Sequence, residues 1–80
     1  MLYQVEFNSI ISKNIFNALK KIHARKVYHG DVRGENILVR PDNSVVIIDF
    51  ERSIVNADQS LLKEEMKEIK LLLSGLQKNR

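Results

Sequence analysis

An α+β fold, ordered helix, polar loop, short antiparallel hairpin, acidic motif and helix, is what this 80-residue sequence predicts. Three observations carry that expectation. Apolar residues recur at helical spacing in two separate segments, one near each end of the chain. Between them lie two β-rich runs, Ile37-Leu38-Val39 and Val45-Val46-Ile47-Ile48, separated by the turn-forming Arg40-Pro41-Asp42-Asn43-Ser44. The loop before the hairpin and the segment after it hold three oxygen-bearing side chains, Asp31, Asn36 and Asp49.

The first helix is predicted over residues 9–25, where Ile10, Ile11, Ile15, Leu19 and Ile22 share a face and Asn8 or Ser9 caps the start. Lys13, Asn14, Asn17, Lys20 and Lys21 fall mostly on the other face. Val27-Tyr28 is too short for more than a β-bridge, and a loop over 29–36 follows. The hairpin spans 37–48, and its almost wholly apolar runs predict cover on both faces. After the acidic motif at 49–51 comes a helix over 60–76, with Leu62, Met66, Ile69, Leu73 and Leu76 spaced 4, 3, 4 and 3, and Gly75 as its C-cap. This stripe suits packing against the first helix and the hairpin. Its competing use is docking on a protein partner, or homodimerisation, through Leu62, Met66, Ile69 and Leu73.

Composition narrows the classes. A chain of this length makes a single domain or part of one, and 44% hydrophobic with 29% charged residues is not a disordered composition. The net charge of +3 has one cluster, Lys20, Lys21, Arg25 and Lys26, placed where cations suit a helix C-terminus. No aromatic residues interleave with it, so nucleic acid is not an expected partner. Without cysteine there is neither a disulfide framework nor a thiolate metal site. The N-terminus lacks a signal-peptide pattern, and no apolar stretch approaches the ~20 residues of a membrane span. A cytoplasmic location is the expectation.

The polar residues point to phosphoryl transfer. That chemistry needs one carboxylate to orient a hydroxyl and two oxygen donors to hold a metal. Asn36 offers an amide oxygen that adds no charge repulsion, and Asp49 a hard anionic one suited to Mg²⁺. Each also has a plain structural use: Asp31 in an Asp-Val-Arg-Gly turn, Asn36 as a strand-entry cap, Asp49 in a strand-end turn. Two aspartates held close without a metal would repel, which weighs against a purely structural grouping. Arg33 is either a fixed charge for a transferring phosphoryl group or a solvated loop cation. His29 reads as a buried, hydrogen-bonded packing residue and Phe50 as a core anchor. Glu51 could accept a hydrogen bond near the metal or pair with Arg52 or Arg33. His23 has no acid at helical spacing and reads as structural.

His29-Gly30-Asp31 through Asn36 resembles the H-x-D-x-x-x-x-N catalytic loop of the protein-kinase-like fold, and Arg33-Gly34-Glu35-Asn36 is close to its frequent K-P-E-N ending. Asp49-Phe50-Glu51 resembles the D-F-G that follows the hairpin in that fold. The likeness covers residues 9–55. Gly30 replaces the usual arginine and Glu51 the usual glycine, and these H-G-D and D-F-E spellings are similar to the aminoglycoside-phosphotransferase-like branch and to short fungal kinase-like proteins. A Gly-rich strand-turn-strand, a strand lysine and an A-P-E segment are missing. The resemblance therefore implies one partial kinase-like domain over 1–80, a C-terminal lobe with no N-terminal lobe. It further implies transfer of the γ-phosphoryl of ATP to a hydroxyl acceptor, protein or small molecule. Asp31 and Arg33 would be catalytic, Asn36 and Asp49 would bind Mg²⁺, and the chain alone would be weak or inactive. The alternative is a non-catalytic, pseudokinase-type interaction module that docks through its C-terminal helix.

Overall fold

The structure, a computed structural model, describes residues 7–78, with side chains described through Gly75. Its elements are α1 (Ser9–Ala24), a single 3-10 turn (Gly34–Asn36), β1 (Ile37–Val39), β2 (Val45–Ile47) and α2 (Gln59–Lys78). The α+β order expected from the sequence is the order observed.

Helix α1 starts at Asn8, whose extended backbone (φ −144°) lets its side-chain oxygen accept the Ile11 N–H at 2.9 Å. That bond satisfies one of the amides left free in a first helical turn. Ile11, Ile15 and Leu19 are buried on the inner face. At the other end Lys26 adopts a left-handed conformation (φ 60°). Its N–H donates to His23 O at 2.8 Å, and the Val27 N–H donates to Ile22 O at 3.4 Å. This pair of reversed bonds is the Schellman arrangement, here built on a lysine where glycine is usual. It turns the chain towards Tyr28, which forms an antiparallel bridge with Ile54.

Strands β1 and β2 pair Ile37 with Ile47, Leu38 with Val46 and Val39 with Val45. Their turn closes when the Asn43 N–H donates to Arg40 O at 2.9 Å, with Asn43 left-handed (φ 68°). A three-residue loop ending in a left-handed residue is a favoured hairpin connection. The Asn14 amide then reaches from α1 to Asn43 O at 2.7 Å, tying the turn to the helix.

Two expectations change here. The hairpin is covered on one face only: Ile37 and Ile47 are buried and Val39 and Val45 pack on the core, while Leu38 stays 38% exposed. Side chains alternate along a strand, so Leu38 and its partner Val46 face away from that core. Both helices lie on the Ile37–Ile47 side, and among the described residues no second layer covers the other. The α2 stripe is likewise spent within the chain. Leu62, Ile69 and Leu73 are buried and Met66 packs against the core, so these four residues do not form a free docking or dimer face.

Gly75 does not end α2, which runs on through Lys78, and a Cβ placed there would meet open space. The side chain of Leu76, part of the expected stripe, lies outside the described residues. Among the described residues no helix is long and apolar enough to cross a membrane.

Candidate functional site

The site is organised around His29, which is 0% exposed. Its Nδ1 accepts the Asp31 N–H at 3.1 Å, so the ring proton sits on Nε2, which donates to the Ile48 carbonyl at 2.7 Å. His29 is thus the buried packing residue that its neighbours predict, but with both nitrogens employed. Phe50 meets the ring edge-on, centroids 4.7 Å apart and planes at 65°. Phe50 itself is 42% exposed, so it is a lid on His29 and not the core anchor expected.

Asp31 and Asn36 are in direct contact. The Asn36 amide nitrogen donates to the Asp31 carbonyl at 2.8 Å and to the Asp31 carboxylate at 3.2 Å. The single 3-10 turn at Gly34–Asn36 brings the two together by folding the loop back on itself. Asn36 is buried, and its main-chain oxygen accepts the Ile48 N–H at 2.9 Å. Ile48 is therefore held from both ends, by Asn36 and by His29. The next residue, Asp49, leaves that clamp in a left-handed conformation (φ 65°) with its side chain exposed. Asp49 thus directly follows the residue whose N–H is bonded to the Asn36 main chain, although thirteen positions separate it from Asn36 in sequence.

Arg33 is 61% exposed, with Nε 3.2 Å from one Asp31 oxygen and 3.8 Å from Glu35. An exposed pair of this kind contributes only about 0–1 kcal/mol to stability. The donor set of the site is hard oxygen throughout. Among the described residues no three or more His, Cys, Asp or Glu side chains form a metal-binding group. The carboxylate of Asp31 and the amide of Asn36, in contact, suit an ion that keeps several waters and shares phosphate oxygens, as Mg²⁺ does, better than a closed all-protein cage.

Gly30 precedes Asp31 at φ 90°, and a Cβ there would collide with the Arg52 carbonyl oxygen. The departure from arginine at this position thus has a steric cause: segment 50–54 runs too close for any side chain. A shallow groove of about 490 Å³ lies elsewhere, between α1 and β2, and none of Asp31, Asn36 or Asp49 lines it.

One participant went unread in the sequence. Glu65, on α2, is 1% exposed. One of its oxygens accepts from the His29 N–H at 3.0 Å and lies 2.8 Å from His23 Nε2; the other accepts the Gly30 N–H at 2.8 Å. His23 therefore has an acidic partner, supplied by tertiary contact and not by its own helix. The available signal was a carboxylate set among Leu62, Met66 and Ile69 on the apolar side of α2.

The sequence pattern of the family described as protein kinase domain matches residues 3–70, and the chain belongs to that family. It is 36% identical over 61 residues to an Aurora kinase of Candida glabrata, covering 71% of this chain and 17% of that protein. An Aurora kinase of Saccharomyces cerevisiae is 34% identical over 61 residues, again 71% of this chain and 17% of the relative. The serine/threonine-protein kinase pak-2 of Caenorhabditis elegans is 42% identical over 40 residues, half of this chain and 8% of that protein. The chain thus spans less than a fifth of the length of these relatives. No solved structure gives a significant match. At this coarse level the chain is protein-kinase-like, and the family implies ATP and, typically, Mg²⁺.

Proposed function

We propose that the chain carries the metal- and hydroxyl-handling part of an ATP-dependent phosphotransferase. The observation that supports this most directly is the double hydrogen bond from Asn36 to Asp31, with Asp49 following the Ile48 clamp. Asp31 orients the acceptor hydroxyl and accepts its proton, a role that contributes roughly 10²–10⁴-fold in such reactions. Because the Asn36 nitrogen is engaged with Asp31, its amide oxygen is the atom available to a metal. Asn36 and Asp49 are the residues that would hold Mg²⁺, which would neutralise charge on the phosphates. Arg33, set against Asp31, offers a fixed charge to the transferring group.

The H-G-D and D-F-E spellings support a place near the aminoglycoside-phosphotransferase-like branch, with either a protein or a small-molecule hydroxyl as acceptor. Catalysis in this chemistry is mostly positioning and charge stabilisation. These 80 residues contain no Gly-rich phosphate loop and no strand lysine, so by themselves they bind Mg·ATP weakly and turn over very slowly. Isothermal titration with Mg·ATP tests this. Weak binding that is lost in Asp49→Ala supports the assignment. Micromolar affinity that is indifferent to Asp49→Ala and Asn36→Ala overturns it.

A further inference from the structure

We infer that the cleft between α1 and α2 is a docking site for an acidic segment of another protein, one that sets a large apolar residue among carboxylates. The inference is independent of the phosphotransferase reading, because the cleft shares no residue with Asp31, Arg33, Asn36 or Asp49.

The cleft holds about 470 Å³ and is lined by Lys13, Phe16, Asn17, Lys20, Met66 and Lys70. Its floor is apolar. Phe16 and Met66 pack against the core with part of their side chains, stay partly exposed, and border the cleft. Its rim is cationic. Lys13 and Lys20 stand seven positions apart on α1, about two helical turns and so on one side of the helix. Lys70 closes the rim from α2. All three lysines are exposed, and among the described residues none of them forms an ion pair.

The charges of α2 are sorted by flank. Lys63, Lys67 and Lys70 follow one another at spacings of four and three, which aligns them along the helix. Glu64 and Glu68 are aligned separately, and the charge of Glu68 bears on the Tyr28 phenol, away from the cleft. No carboxylate lines the cleft, so its three cations are answered best by a partner of opposite sign. The apolar floor favours a peptide over nucleic acid. Phe16 is packed on the core and is not presented as a platform for stacking bases. A leucine-sized side chain on the floor, with acids reaching both rims, uses every part of the site.

Fluorescence anisotropy with the 80-residue chain and a short labelled peptide, one leucine flanked on each side by glutamates, provides the test. Binding is expected, and the Met66 methyl signal is expected to shift in nuclear magnetic resonance spectra as the peptide is added. Charge reversal removes an attraction and adds a repulsion, so Lys13→Glu with Lys70→Glu weakens binding by about tenfold or more. Lys21→Glu with Arg25→Glu makes the same change in net charge outside the cleft and, screened by salt, alters affinity by less than about twofold. All four side chains are exposed, so both double variants are expected to fold. Equal losses in the two variants, or an unmoved Met66 signal, overturn the inference. A peptide with serine in place of leucine that binds as tightly also overturns it, because the floor then plays no part. Tighter binding of an oligothymidylate through the same lysines would assign the rim to nucleic acid and refute the peptide. Self-association in sedimentation that is abolished by Lys13→Glu with Lys70→Glu would make the occupant a second copy, and refutes it likewise.

Discussion

The ring of His29 and the carbonyl of Ile48 share a hydrogen bond of 2.7 Å that joins the loop carrying Asp31 to the strand end carrying Asp49. Because His29 Nδ1 is already accepting from Asp31 N–H, the donor to Ile48 is fixed as Nε2, and the neutral tautomer with it. Replacing His29 by alanine removes two hydrogen bonds and leaves a cavity beside Phe50. Buried bonds left unmade cost about 1–3 kcal/mol each, so His29→Ala is expected to lower the unfolding free energy by about 3 kcal/mol. Urea denaturation measures it. A loss below about 1 kcal/mol would mean that the ring is not a structural link.

Gly30 is expected to tolerate no side chain. Its positive φ strains any L-residue, and the Arg52 carbonyl occupies the space where a Cβ would lie. Gly30→Ala should destabilise by at least about 1–3 kcal/mol through backbone strain alone, and Gly30→Arg should not restore a kinase-type arginine. Thermal melts of the two variants, read against the unaltered chain, decide the matter.

At the end of α1 the opposite change should help. Lys26 holds a left-handed conformation that glycine adopts without penalty. Lys26→Gly keeps both reversed hydrogen bonds, which are main-chain, and relieves about 1–2 kcal/mol of strain. A small domain gains about 4–8 °C of Tm per kcal/mol. Calorimetry that shows no rise would mean that the lysine stem makes compensating contacts along α1.

Alkaline titration should report on the bridge between Tyr28 and Ile54. Partial burial, then the charges of Glu68 and Glu65, push the Tyr28 phenol above its ordinary value of 10.0. The folded state therefore holds this proton more tightly than the unfolded chain does. Its contribution to stability is fully present below the unfolded pKa near 10.0 and is lost as pH rises through the higher folded value. Tyr28→Phe is expected to flatten the fall in stability above pH ~10, measured as Tm against pH. An unchanged alkaline slope would assign the fall to other groups.

Much of the architecture could be read from local patterns. The spacing of Ile11, Ile15 and Leu19 identified a buried helix face, and Pro41-Asp42-Asn43 identified the hairpin turn, because both depend on neighbours in sequence. The contact between Asp31 and Asn36 was legible for the same reason: five positions within one short loop leave few ways to arrange it. Leu62, Met66, Ile69 and Leu73 pack inside the chain, as the first of their two readings had it, but periodicity alone left the docking alternative open because it shows that a face is apolar and not what covers it. The expectation for the hairpin failed, since a run of apolar residues does not say how many layers will flank it.

What the sequence by itself determined was the order of elements, the residues that turn the chain, and the three polar side chains worth watching. Only the tertiary structure decided that Glu65 reaches across 36 positions to His29, that His23 shares it, and that Arg52 leaves no room beside Gly30. The reason is range. Helix periods and turn chemistry are set within a few residues, whereas a buried carboxylate acquires its partners only when α2 packs against the rest of the chain.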